Sequence, residues 1–207
     1  MIPRILFRVV PERTSDEVED LWRRAVELHP GWQHITYRDP IRTELFDITS
    51  SEWMRCSSGA QLAGLVRLEA LYSHGGVYID SDVECFRSFE PLLALRAFAG
   101  WEDANVVPDA VLGAERWHPA VRACIDLAIE RIRSSSTDWR TGNGAWSTGP
   151  GVTTSVLPGR DDVVLFPPAA FYPYHYSERH RRHEDHRTTN PWAFAAHHWH
   201  ASWLKGG

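Results

Sequence analysis

The chain reads as a single α/β domain. Strand-like and helix-like segments alternate from end to end, the 207 residues suit one core rather than two, and no internal repeat interrupts the alternation. Ile2 to Val10 is an apolar run fit for a buried strand, and Thr14-Ser15-Asp16 supplies a cap and an acidic first turn for a helix to about Leu28. Gln33 to Tyr37 alternates as a second strand. Leu62, Leu65, Leu68 and Leu71, with Val66 and Tyr72 beside them, recur at helical spacing and predict a helix over 59–74 that Gly75 ends. Val77-Tyr78-Ile79 and Ala97 to Trp101 read as strands. Residues 118–133 form a helix with Val121, Cys124, Ile125, Ala128, Ile129 and Ile132 on its apolar side. The Ser- and Gly-rich run 134–151 reads as loop, with a short helix starting after Pro150, and Val163 to Phe166 is the last clear strand.

Two carboxylates stand at the end of the third strand. In an extended segment residues two apart share a face, so Asp80 and Asp82 point together while Ser81 turns away. If that strand folds back along the preceding helix, the four residues to Asp80 cover ~13 Å, as do roughly nine helical residues. Arg67 therefore falls close to Asp80. Paired carboxylates need a cation, and a hard divalent ion that also holds substrate phosphates satisfies them, with Arg67 available for the remaining negative charge.

Bulk properties narrow the class without naming it. Lys and Arg total 22 against 27 Asp and Glu, a net charge of −5, so no global field draws nucleic acid or an anionic membrane, and an anionic substrate needs a local site. No apolar run approaches the ~20 residues of a membrane span, and Met1-Ile2-Pro3-Arg4 lacks a signal peptide's long apolar run, which makes a cytoplasmic protein the expectation. Cys56, Cys85 and Cys124 are odd in number and widely spaced, which fits small buried side chains rather than a disulfide framework.

From Arg67 through Cys85 the chain resembles the glycosyltransferases whose sugar-binding region carries a DXD motif, a family that includes mannosyltransferases, capsular polysaccharide enzymes and glucosylating toxin domains. The resemblance extends through Ile2-Pro3-Arg4-Ile5, His29-Pro30-Gly31-Trp32, Phe98-Ala99-Gly100-Trp101-Glu102, His118-Pro119, Thr148-Gly149-Pro150, Phe171-Tyr172-Pro173 and His197-His198-Trp199 to Ser202-Trp203. It implies a GT-A fold with a mixed, mostly parallel central sheet flanked by helices. About residues 1–100 would form the half that binds the nucleotide sugar, and about 101–207 the acceptor side and a C-terminal lid. The implied activity is metal-dependent, retaining transfer of a hexose from a nucleotide diphosphate sugar, UDP-sugar favoured, to a hydroxyl of a carbohydrate, protein or small molecule. Mn2+ or Mg2+ is the implied ion.

The resemblance assigns residues as well. Asp80 and Asp82 carry the catalytic importance without a proton-transfer role, and Arg67, Tyr78, Asp80 and Asp109 lie at the donor. Glu102 ends a strand, where α/β sites gather, beside Trp101 and Asp103. Asn143 and Trp146 precede Gly149 on a glycine-rich stretch suited to the acceptor side. Ser202 and Trp203 would approach the diphosphate. Counting back from Trp203, His198 best fits a metal position beside Asp82, with His197 as the alternative. The chain departs from the family pattern where Val10 replaces a Trp closing the first strand and Gly64 replaces an Asp three residues before Arg67. A non-catalytic nucleotide-sugar or carbohydrate binding protein on the same scaffold is therefore a second expectation.

Seven of the eleven histidines fall in the last forty residues, so a zinc hydrolase is a third. His183-Glu184-Asp185-His186 lacks the i, i+4 histidine spacing of a zincin helix, and residues 178–187 read better as a solvated, mobile loop.

Overall fold

In a computed structural model, the structure describes residues 1–134 and 144–200. A six-stranded sheet forms the centre. Its strands are β1 (Ile5–Val10), β2 (Gln33–Arg38), β3 (Gly76–Ile79), β5 (Ala97–Gly100), β6 (Val111–Ala114) and β7 (Val164–Phe166), and β4 (Val83–Cys85) and β8 (Ala195–His197) pair separately. The helices are α1 (Asp16–Leu28), α2 (Gly59–His74), α3 (Pro119–Arg133), α4 (Gly144–Thr148), α5 (Pro150–Val156) and α6 (His186–Thr189). The sheet order is β2-β1-β3-β6-β5-β7, and only β6 runs against its two neighbours. The sheet is thus mixed and mostly parallel, as the resemblance implies.

Local chemistry sets the element ends. The Ser15 hydroxyl accepts from the Val18 N–H, and Asp16, Glu17 and Glu19 meet the positive end of α1. Ser58 caps α2 through the Gln61 N–H, and His118 caps α3 through the Ala120 N–H with Pro119 at the first helical position. Gly75 and Gly76 have φ of 68° and 105°, and a Cβ on Gly76 would lie 2.5 Å from the Ile5 carbonyl oxygen. This double glycine turns the chain from α2 into β3 against β1.

Strand alternation divides the core into two layers. Phe7 and Tyr78 face the layer that holds Leu65, Leu68 and Leu71 of α2 with Val121, Cys124 and Ile125 of α3. Leu6, Val77 and Ile79 face the opposite layer of Phe89, Phe98 and Phe171. On the Phe7 and Tyr78 side, every residue from Leu65 to Leu71 is buried, so this stretch of α2 has no solvent face, and its Glu69 carboxylate accepts from the Ile48 and Thr49 N–H groups at 2.8 Å each.

Two regions differ from the sequence expectation. Part of the expected loop over 134–151 is α4, whose docking on α2 is polar and local: the Thr148 hydroxyl donates to the Gln61 carbonyl at 2.9 Å, and the Gln61 amide donates to the Ser147 hydroxyl at 2.9 Å. Residues 178–187, expected as a solvated, mobile loop, lie in 3-10 turns over Tyr176–His183 and in α6 that follows. His175 and Glu178 form a reciprocal capping box there, and Arg181 bridges Glu178 and Glu184, which stabilises the turns despite their exposure.

A Cβ at Gly64 would sit 2.4 Å from the Thr148 hydroxyl oxygen and 2.9 Å from the Thr148 carbonyl oxygen. The helix contact has no room for a methyl group. Gly64→Ala should therefore destabilise the fold by roughly 1–3 kcal/mol, read as a lower urea midpoint at unchanged slope, although alanine is the better helix former.

Candidate functional site

The site lies at the carboxyl ends of β3 and β5, where α/β folds place ligands. Arg67, projecting from the third turn of α2, brings its Nη1 to 3.0 Å from Asp80 Oδ1 and 2.8 Å from Asp109 Oδ2, and donates to the Asp109 carbonyl at 3.2 Å. The back-folded strand thus places Arg67 beside Asp80, as the rise arithmetic predicts. Its guanidinium stacks 4.7 Å from the centre of the Tyr78 ring, and the Tyr78 hydroxyl donates to Asp80. Tyr78 is therefore core and site at once. Asp109 precedes β6 and rests on Gly149, where a Cβ would meet its Oδ2 at 2.9 Å.

Asp82 faces the C-terminal segment. Antiparallel pairing of β4 with β8 sets Val83 opposite His197 and brings His197 Nε2 to 3.1 Å from Asp82 Oδ1 and 3.8 Å from Asp80 Oδ2. The His200 backbone N–H donates to Asp82 Oδ2 at 2.8 Å, and the His198 N–H donates to the Asp82 carbonyl at 3.0 Å. Among the described residues, Asp80, Asp82 and His197 form the one group of three whose potential ligand atoms all lie within 4.8 Å of one another. Two carboxylates and an imidazole suit a divalent cation.

His198 is turned away from this group. Consecutive residues leaving a strand point to opposite sides, so His198 places Nε2 3.1 Å from Glu84 and shares a 2.8 Å hydrogen bond through Nδ1 with the Tyr174 hydroxyl. The alternative in the sequence reading, His197, occupies the position first given to His198. The other C-terminal histidines disperse: His186 stacks on Tyr174, His175 lies 3.3 Å from Glu102, and His200 Nε2 lies 3.4 Å from Glu17. No second histidine joins the Asp80, Asp82 and His197 group.

The remaining predicted residues divide by place. The Glu102 carboxylate, 8 % exposed, takes the Tyr176 N–H at 3.0 Å. Trp146 lies within α4, while Asn143, Ser202 and Trp203 lie outside the described residues. Sequence reasoning placed Tyr172 only within the family resemblance and missed its hydroxyl, which is buried with no acceptor for its proton among the described residues. Its ring is packed, with Trp199 and His197 at centroid distances of 5.9 and 6.1 Å. No local pattern marks that hydroxyl, because the elements around it meet only in the fold.

Burial and charge act against each other throughout the site. Burial opposes the charge on Arg67, but Asp109 and Asp80 outweigh it and hold the guanidinium protonated. For Asp82 burial alone would raise the carboxyl, yet the His197 imidazolium and the His200 N–H hold it well below the usual carboxylate range. His197 is raised in turn, because the Asp82 attraction exceeds its own desolvation. Burial pushes the Asp109 carboxyl up to about 6, with the Asp80 charge adding and the Arg67 charge opposing.

The comparisons with known proteins agree with this geometry. Residues 15–99 match the glycosyltransferase sugar-binding region containing the DXD motif. Inositol phosphoceramide mannosyltransferase 3 of Schizosaccharomyces pombe is 27 % identical over 127 residues, which cover 57 % of this chain and 35 % of that protein. Inositol phosphoceramide mannosyltransferase 2 of the same yeast is 27 % identical over 181 residues, 83 % of this chain and 50 % of that protein. The chain thus spans from about a third to half the length of these relatives. Among solved structures, the galactosyltransferase LgtC in complex with donor and acceptor sugar analogs superposes with a TM-score of 0.55 at 12 % identity, covering 98 % of this chain and 92 % of that one. The PaToxG glycosyltransferase gives 0.58 at 13 % identity, covering 92 % and 75 %. The fold is the GT-A fold of these glycosyltransferases. No helix among the described residues is long and apolar enough to cross a membrane.

Two measurements follow from the charge balance. Arg67→Met should cost about 3–5 kcal/mol in urea unfolding, because it leaves two buried carboxylates without their cation. Asp109 titrates near 6 in the folded protein against an ordinary 3.8, so between those values the native state holds a proton that the unfolded chain has released. Its contribution to stability is present below about pH 4 and lost as pH rises through 6. Asp109→Asn should flatten that fall in stability, measured as urea midpoint against pH without added metal.

Proposed function

We propose that this protein is a glycosyltransferase that moves a hexose from a nucleotide diphosphate sugar to an acceptor hydroxyl with retention. The single observation that carries the reading is the convergence of the Asp80 and Asp82 pair with His197 on a GT-A scaffold. The relatives named inositol phosphoceramide mannosyltransferases make mannose the first donor sugar to test and a phosphoinositol-bearing lipid the first acceptor. UDP remains the nucleotide expected from the family resemblance.

Asp80, Asp82 and His197 would hold a divalent ion, Mn2+ or Mg2+. Such an ion supplies charge neutralisation to the departing diphosphate as the C–O bond breaks. The protein's own groups do the rest. Arg67, fixed by Asp109, holds negative charge on the donor beside Asp80. His197 gives up its raised proton when its Nε2 serves as a ligand, so ion affinity rises with pH. Asp109 and Asp80 offer carboxylate oxygens to sugar hydroxyls.

A binding protein without turnover is the second reading, and one observation favours it. The place where relatives carry an Asp is Gly64, already filled by Thr148.

The test compares wild-type protein with Asp82→Ala. Wild-type protein should release free sugar from UDP-glucose or GDP-mannose in the presence of manganese, and the variant should lose at least about 100-fold of that rate, together with the manganese-dependent rise in Tm on adding donor. Undiminished turnover in excess chelator would overturn the metal role. Donor binding without release of sugar or transfer would favour the second reading.

A further inference from the structure

Glu102 lies close enough to His197 for their charges to act on each other, and its carboxylate is half used. Oε1 takes the Tyr176 N–H at 3.0 Å and lies 3.3 Å from the His175 Nε2. Oε2 makes no hydrogen bond among the described residues. The side chain is 8 % exposed, while His175 and Asp103 around it are 42 % and 37 % exposed, so a buried carboxylate lies directly beneath an open polar rim. Burial raises its carboxyl above the ordinary range, with the Tyr176 N–H and His175 opposing.

A second observation comes from the adjacent Tyr172. Its hydroxyl is buried, the charges of Asp109, Asp80 and Glu102 act on it, and its proton has no acceptor among the described residues. A buried phenol without an acceptor is costly, and a neighbouring phenylalanine, Phe171, shows that a plain ring can be packed in this layer. A carboxylate oxygen without a hydrogen bond, in a site that also holds a buried hydroxyl proton without an acceptor, suits a hydroxylic ligand that donates to it.

We propose that Glu102 is the acceptor-positioning residue: its Oε2 accepts a hydrogen bond from the acceptor hydroxyl and aims that oxygen at the sugar. The assignment rests on the transferase reading above. The acceptor oxygen forms its bond to the anomeric carbon, the bond from that carbon to the diphosphate oxygen breaks, and the acceptor's proton passes to the departing phosphate. Glu102 holds the hydroxyl on the face of the sugar from which the diphosphate departs and takes no proton. His175 and the Tyr176 N–H fix Oε1, and so fix the direction of Oε2.

Azide separates this role from a structural one, since it attacks the anomeric carbon without an O–H to be held. Glu102→Ala should keep its manganese-dependent affinity for UDP-glucose or GDP-mannose within about twofold, yet lose about 100-fold in kcat for hydrolysis. With sodium azide as nucleophile it should form glycosyl azide near the wild-type rate. Glu102→Gln preserves the volume and should show the same split in smaller degree, which covers the case of an unstable alanine variant. Equal losses with water and azide, or loss of donor binding, would overturn this assignment alone. Absence of turnover in wild-type protein, in water and azide alike, would overturn the transferase reading and this assignment with it.

Discussion

A guanidinium buried between Asp80 and Asp109 ties the scaffold to the site. Arg67 belongs to a helix that is buried all round, Asp80 to the exit of β3 and Asp109 to the approach to β6, so one cation joins three elements that are distant in sequence. Because an arginine does not give up its proton, it can be buried only where carboxylates meet it. The balance is incomplete. With one cation between two acids, Asp109 retains a raised proton affinity, and with Asp82 and Glu102 close by, the pocket carries more negative charge than its own cations offset.

The close approach of α4 to α2 has a second effect on the same pocket. Gly64 admits Thr148, and Gly149 then admits the Asp109 carboxylate. A carboxylate on α2 at position 64 would need the volume Thr148 occupies, so the acidic groups of the site come from the strand ends instead: Asp80 after β3, Asp109 before β6 and Glu102 after β5. The departure at Gly64 is therefore a repacking, and it is coupled to stability through a helix contact that tolerates no added methyl group.

How much of this was legible in the sequence depends on whether the signal was local. The long elements α1, α2 and α3, together with β1, β2 and β5, follow from periodicity and caps, because their own residues carry the pattern. β6 is four residues of Val-Leu-Gly-Ala buried on both faces, and β4 and β8 are three residues each, too short for either period to register. The short turns over 176–189 were hidden by their charge: a run of Arg, His and Glu reads as solvated surface, and only the capping geometry shows why it holds a shape. In the site, Arg67, Asp80 and Asp82 were legible because one helix, one turn and one strand suffice to place them. Glu102, Asp109 and the Tyr172 hydroxyl come together only through the order of the sheet.

The histidine pair shows the same division at the scale of one residue. Counting from Trp203 cannot decide between His197 and His198, since a shift of one position changes which side of the strand faces Asp82. The register of β8 on β4 decides it. With Val83 opposite His197, the imidazole of residue 197 shares a side with the acids, and residue 198 passes to Glu84 and Tyr174. The two backbone N–H groups that follow then bind Asp82 itself, one at its carbonyl and one at its carboxylate. A slip of β8 by one residue would exchange the two imidazoles and break both bonds, so three contacts at Asp82 select the same register that brings His197 to the acidic pair.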